Sequence, residues 1–336
     1  MRSLIAGLTL VGLPLVSSAH HSRAEFSDER QEISGEILAV EWSNPHPIFT
    51  LRIDEQDDME GVWEIQGYGS IYTLRRAEVT GDYFSAGDQV KLFGSQSIRR
   101  EKLFLVNNML TADGVEVVFN RASAPVWNES AIGGEESYVA RESDFVDAAE
   151  ESRGIFRIWS RLAQGADTQV VPPLTPEAAA VGASRDAFEY DPSTRCVPKG
   201  MPQMMATPHP YEFIDDGDVI KIIGHEFNIV RTIHMTDVGN SSDQPLSHLG
   251  YSVGHWEGNT LVVQTTRINW PNFSVRTPQS EAIEIVERFT LSDDQSRLDY
   301  QSIITDPATF TEPVVRERYW GALGETPEPY ECKVDE

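Results

Sequence analysis

The stretch Gly250-Tyr251-Ser252-Val253-Gly254-His255-Trp256-Glu257-Gly258-Asn259-Thr260-Leu261-Val262-Val263-Gln264-Thr265-Thr266 reads as one β-hairpin. Two extended runs, Gly250 to Trp256 and Thr260 to Thr266, flank a tight loop with a glycine at its centre. Runs of the same kind surround it. Tyr211 to Ile214, Val219 to Phe227 and Ile229 to Met235 precede it; Ile283 to Leu291, Arg297 to Ile304, Val314 to Tyr319 and Tyr330 to Cys332 follow. About eight strands at hairpin spacing predict an antiparallel meander closed into a lipocalin-like barrel or a strongly curved sheet. Such a barrel has room for one small apolar ligand.

The expected domain spans 154–336. It opens with the apolar run Gly154 to Trp159 and carries one marked helix start at Thr175-Pro176-Glu177, a capping threonine followed by proline and an acid. Before it, residues 120–153 are rich in Glu, Asp, Ser and Ala and read as an acidic linker. Residues 20–119 read as a separate unit. Strand patterns lie at Ile33 to Val40, Ile48 to Ile53 and Val62 to Gln66; a short helix follows at Ser70 to Arg76; then come Gln89 to Gly94, Leu103 to Leu110 and the extended run Val115 to Phe119. The prolines of Asn44-Pro45-His46-Pro47 exclude helix there. Three strands, a helix and two strands is the order of a five-stranded OB-like barrel. The predicted fold is therefore mainly β, with two barrels and few short helices.

Several spaced residues of the first unit carry a resemblance: His20-His21-Ser22, Gly35, Trp42-Ser43-Asn44-Pro45-His46, Trp63, Leu74-Arg75-Arg76 and Gly87-Asp88. Together they resemble an uncharacterised family of small secreted bacterial domains, whose mature chains open His-His-Ser and carry a Trp-x-Asn-Pro-His segment. The resemblance implies secretion and a small β-barrel, and no activity. The second unit resembles another uncharacterised secreted bacterial module through Cys196-x-Pro198-x-Gly200, Gly254-x-Trp256-Glu257-Gly258, Leu261-Val262-Val263, Glu287-Arg288 and Asp306-Pro307 with Thr311-x-Pro313. Here the chain departs from that module: it has His255 where the pattern has arginine, and Asn259 where the pattern has aspartate.

Charge and leader bound the function. The chain of 336 residues has 53 acidic against 27 basic side chains, a net charge of −26. Broad binding to nucleic acid or anionic lipid is excluded, because those surfaces carry the same sign. Arg2, the apolar run Leu4 to Val16 and the small residues Ser17 to Ala19 predict a signal peptide over 1–19. No later run reaches the ~18 apolar residues of a membrane span. The expected location is periplasmic or secreted. In that oxidising setting Cys196 and Cys332 either form one disulfide or remain two thiols, and sequence leaves both open.

Two sets of residues offer chemistry. Cleavage after Ala19 makes His20 the first residue, so an α-amine and an imidazole share one position. With His21 or His46 as a further arm, these nitrogens suit Cu(II). Cleavage one residue earlier leaves Ala19-His20-His21, which suits Cu(II) or Ni(II). The competing reading is a solvated terminus with no built site. In the second barrel, His225, Arg231 and Glu284 are the expected lining of a polar ligand pocket. Positions 225 and 231 share parity if the strand runs unbroken, 284 and 288 share parity, and Glu287 faces the other way. Ordinary surface positions are the alternative. Gly250-x-Ser252-x-Gly254 fits a hydrolase nucleophile pattern, but a second strand follows where that mechanism needs a helix. These residues predict a small-ligand-binding or accessory protein with copper at the N-terminus. The alternatives are a copper-dependent oxidase, a lyase or isomerase acting in the barrel cavity, and a structural envelope module without ligand.

Overall fold

The computed structural model describes residues 25–53, 59–120, 122–134, 145–151, 153–162, 171–236 and 241–332. The expected leader and His20-His21 lie outside the described residues.

The first barrel is built around β1 (Gln31–Glu41), which pairs β2 (Ile48–Ile53) on one side and β4 (Gln89–Gln96) on the other. β2 pairs β3 (Gly61–Gly67), and β4 pairs β5 (Leu103–Leu110). The ring closes where β3 runs parallel to β5, from Glu64↔Leu103 to Gly67↔Val106. α1 (Ile71–Arg76) connects β3 to β4. This is the connectivity of a five-stranded OB-type barrel. Alternation drives it: Phe49, Leu51 and Ile53 of β2 are buried while Arg52 is exposed, and Trp63 with Ile65 of β3 and Leu92 of β4 complete the filling. Gly94 marks an irregularity in the β4–β5 register. A Cβ there would lie 2.0 Å from the Leu105 carbonyl oxygen, so only glycine lets the two backbones approach.

β6 (Glu116–Val118) continues beside β5, and the short β7 (Ile132–Gly133) lies parallel to β6. The buried Glu116 carboxylate accepts hydrogen bonds from Val126 N (2.6 Å), Trp127 N (3.0 Å), Asn128 N (2.9 Å) and the Asn108 amide (2.9 Å). The first part of the expected acidic linker is thereby tied to the first barrel.

The second barrel has nine strands. In chain order they are β8 (Ile158–Arg161), β9 (Tyr211–Asp215), β10 (Val219–Gly224), β11 (Ile229–His234), β12 (Tyr251–Glu257), β13 (Thr260–Thr266), β16 (Glu284–Leu291), β17 (Arg297–Thr305) and β18 (Val314–Gly321). α2 (Pro176–Ser184) and a ribbon of β14 (Asn272–Ser274) and β15 (Thr277–Pro278) sit in the connections. Each barrel strand pairs with the next, and β18 returns to β8 through Trp320↔Arg161 and Gly321↔Ser160. The hairpin around Glu257-Gly258-Asn259 forms in register from Tyr251↔Thr266 to Glu257↔Thr260. Two expectations need correction. An odd ring cannot alternate direction throughout, so one pair must be parallel; it is β11–β12, through Ile233↔Ser252 and His234↔Val253. The run Tyr330 to Cys332 is not a barrel strand either, because Tyr330 instead makes a lone parallel bridge to Asn44 of the first barrel. Cys196 and Cys332 form a disulfide. Among the described residues no helix is long and apolar enough to cross a membrane.

The barrels meet at Asn44, which is 1% exposed. Its Oδ1 accepts from the first amide of α1, Ile71 N (3.1 Å), and its Nδ2 donates to the Pro329 carbonyl (3.5 Å). Its own carbonyl accepts from Glu331 N (3.0 Å). The Asn-Pro-His segment is thus a joint that faces a helix start and the C-terminal chain together.

Replacing Gly94 by alanine forces a methyl group into the β4–β5 contact. Gly94→Ala should lower stability by ~2 kcal/mol or more, read as a shifted midpoint in chemical denaturation. Gly87→Ala tests the other cause, backbone strain without a clash. No atom lies within 4 Å of its Cβ position and its φ is +97°, so it should cost less.

Candidate binding site inside the C-terminal barrel

Five neighbouring strands send polar side chains to one level of the barrel interior. β11 contributes Arg231, β12 Ser252, β13 Thr265, β16 Glu287 and β17 Tyr300. Their places follow from alternation. Arg231 shares its face with Ile233, Thr265 with Leu261 and Val263, Glu287 with Ile285 and Phe289, and Tyr300 with Leu298 and Ile304. The polar groups are therefore carried inward by the apolar pattern that builds the barrel.

Arg231 is 1% exposed and Glu287 is 0%. Both guanidinium nitrogens of Arg231 reach the carboxylate, Nη1 to Oε1 at 3.0 Å and Nη2 to Oε2, in the forked geometry that strengthens such pairs. Nη2 also donates to Thr265 Oγ1 (2.8 Å), and Nε donates to Ser252 Oγ (3.3 Å). The Ser252 and Thr265 hydroxyls lie 2.9 Å apart. Tyr300 donates its phenol to Glu287 Oε1 at 2.9 Å. An aromatic wall continues from there: Tyr300 lies 5.0 Å from Phe289 and 5.1 Å from Trp320, and Trp320 lies 5.2 Å from Tyr211.

Burial, reinforced by the Glu287 charge, pushes the Tyr300 phenol well above its ordinary value. Burial likewise raises Tyr211 to about 12. Tyr300 is thereby held as a neutral donor towards Glu287. The set can recognise a ligand through a guanidinium, a phenol and two hydroxyls. Ser252 Oγ is engaged with Arg231 and Thr265 rather than a histidine, so its bonds are not those of an activated nucleophile.

The expected site residues divide. Arg231 is at the centre. Glu284 is the exposed first residue of β16, opposite Thr305, and the interior carboxylate is Glu287. The parity argument separated the two positions; their inward and outward sides are reversed from the expectation. His225 is buried but stands beyond the end of β10, in the turn to β11. Its Nδ1 lies 3.1 Å from Asn228 Oδ1 and its Nε2 3.6 Å from Glu212. The turn breaks the shared parity of 225 and 231. Ser252, Thr265 and Tyr300 were not anticipated as site residues. Of the copper set, His20 and His21 lie outside the described residues, and His46 is half-buried on the loop after Asn44. Among the described residues no group of three His, Cys, Asp or Glu side chains is arranged to hold a metal ion.

A concavity of about 370 Å³, separate from this cluster, lies on the outer side of the β11–β12 seam. It is lined by His234, Gln244, Pro245, Ser247, Gly250 and Tyr251, and the His234 and Tyr251 rings stack at 4.8 Å.

Residues 9–102 match the model of DUF6152, a family of unknown function. The matched span runs through β1 to β4 and ends before β5, so it leaves the C-terminal barrel uncovered. No curated protein matches the chain.

Removing one partner of the buried pair strands the other charge. Glu287→Ala should destabilise by about 3–5 kcal/mol, whereas Arg231→Met with Glu287→Leu should cost far less, measured as a double-mutant cycle in denaturant. Alkaline pH supplies a second test. A phenol whose folded pKa is raised adds stability that is complete below its unfolded pKa of 10.0 and is lost as pH rises to the folded value, about 12 for Tyr211. Stability should therefore fall steeply across this window, as read by denaturation at stepped pH.

Proposed function

We propose that the protein is a periplasmic or secreted binding protein whose C-terminal barrel takes a small polar molecule at the Arg231 cluster. The observation that carries this reading is the convergence of Arg231, Ser252, Thr265, Glu287 and Tyr300 on one fully buried point. Apolar side chains of similar volume would fill that space without the desolvation cost of several kcal/mol per ion. Polar groups that oppose stability mark the place where a fold serves something else.

Access is favoured at the seam between β11 and β12. Only Ile233 and His234 of β11 pair with β12, so among the described residues the strand from Ile229 to Thr232 has no ladder partner on that side. Arg231 lies within this unpaired stretch. A ligand with an acceptor, such as a carbonyl, hydroxyl or carboxylate, would replace the Ser252 and Thr265 hydroxyls on the guanidinium while Glu287 keeps its fork. Binding rather than catalysis is favoured because the cluster supplies recognition groups and its serine has no base. The Cys196–Cys332 disulfide supports an oxidising compartment. Copper is not part of this reading, because the two histidines that would begin its site lie outside the described residues.

The test is native mass spectrometry of the full chain exported to a bacterial periplasm and purified without denaturation, beside Arg231→Met/Glu287→Leu. A noncovalent small mass on the wild type, absent from the double variant, is the expected result. A bare wild type would count against the reading if small carboxylates and sugars also fail to raise its melting temperature and the double variant is equally stable. The polar cluster would then be a structural element only.

A further inference from the structure

After β18 the chain leaves the second barrel and crosses to the first. Residues 322–332 form no ladder strand; the one bridge is Asn44↔Tyr330. The crossing segment reads Glu325-Thr326-Pro327-Glu328-Pro329-Tyr330-Glu331, acidic and interrupted by two prolines that cannot donate to a sheet. Its hold on the first barrel is polar. Arg76 Nε lies 3.0 Å from Glu325, Arg75 pairs with Glu328, Tyr72 Oη bonds the Glu328 backbone, and Asn44 holds Pro329 and Glu331. Tyr330 then turns back to the second barrel, 4.5 Å from the Phe227 ring and 5.1 Å from the His209 ring. Two residues later Cys332 is bonded to Cys196, 136 residues earlier in sequence.

These contacts are unequal in strength. The Arg75–Glu328 pair is 52% and 32% exposed, and pairs of that kind contribute little. Glu325 and Asn44 are better enclosed, but each holds the segment by one or two bonds. A segment with few bonds and no ladder opens locally at low free energy unless its end is tied. The disulfide is that tie. It joins the strap's far end to the second barrel, and the strap passes over α1 of the first barrel on the way.

We propose that residues 326–332, beyond the anchored Ala322 and Glu325, are a redox-released strap: with Cys196–Cys332 closed it clamps the first barrel onto the second, and reduction of that bond frees it. The reductant is a dithiol. One of its thiolates attacks a sulfur of the bond and forms a mixed disulfide; its second thiolate resolves that intermediate. Two electrons and two protons pass to the protein, leaving Cys196 and Cys332 as thiols and the reductant as a disulfide. Both cysteines are half-buried rather than enclosed, which leaves a path for attack. Release also uncovers Tyr72 and frees Arg75 of α1 from its partner Glu328, leaving a basic group on a strongly acidic chain.

The experiment is hydrogen exchange of the folded full chain, followed by mass spectrometry, with and without dithiothreitol. A glutamate-specific protease, which cuts after Glu325 and Glu331 but not at the Glu328–Pro329 bond, reads the same segment independently. Reduction should speed exchange at the Glu328 and Glu331 amides by roughly tenfold or more and open both cleavage sites, while strands β1–β5 and β12–β17 keep their protection. Cys332→Ser should reproduce this without reductant. Unchanged strap protection in the reduced protein would overturn the proposal, since the noncovalent contacts would then suffice. Parallel loss of protection in β12–β17 would overturn it too, because the bond would then hold the barrel and not the strap.

Discussion

Two opposite charges sealed from water constrain everything within reach of them. Arg231 and Glu287 have no solvent to share the load, so each remaining donor and acceptor must find a protein partner. That need fixes a serine on β12, a threonine on β13 and a tyrosine on β17, and it fixes their register. Ser252 and Thr265 are direct cross-strand partners, which puts two hydroxyls side by side beneath one guanidinium. A shift of one residue in any of these strands would turn its polar group outward and leave an ion unmet. The pair thus acts as a register lock across five strands, whatever else it does.

The sheet around the pair is less uniform than its hairpins suggest. Nine strands oblige one parallel contact, and parallel contacts cannot be made by a short turn. The chain must travel from one end of the barrel to the other between β11 and β12, and it re-enters at Gly250. The ladder is short where that return occurs, as it is on both sides of β8, and it lies beside Arg231 and the His234–Tyr251 stack. The most polar part of the interior and one of the barrel's thinnest seams are therefore neighbours for a topological reason.

Much of this architecture is legible locally. The hairpin at Gly258, the strand–helix–strand order of the first barrel and the capped helix at Thr175 are all short-range patterns, and all three form. What escapes is decided by closure. Alternation separates Glu284 from Glu287 but not inside from outside, since Ile285 and Val286 offer apolar neighbours on both parities. The pattern places His225 on a continuous strand because the turn after Gly224 carries no glycine. Phe227 and Asn228 adopt left-handed backbone there, with φ of 64° and 52°, which sequence gives no reason to expect of phenylalanine. Ser252 falls only in a nucleophile pattern that its surroundings do not support, and Thr265 and Tyr300 belong to no motif; only the ring brings the three together. Tyr330 carries apparent strand character, yet its partner is Asn44, a residue of the other barrel.

That last partnership has a consequence for how the molecule is made. The bond from Asn44 to Pro329 spans 285 positions, so it cannot form until nearly the whole described chain has been delivered. A first barrel emerging ahead of the rest can cap its own helix with the Asn44 side-chain oxygen, but the Asn44 amide and carbonyl must wait in water for the final segment. The joint between the barrels is in this sense a proof of completion. A chain truncated before Pro329 retains every strand of both rings and lacks the bonds by which the final segment reaches Asn44.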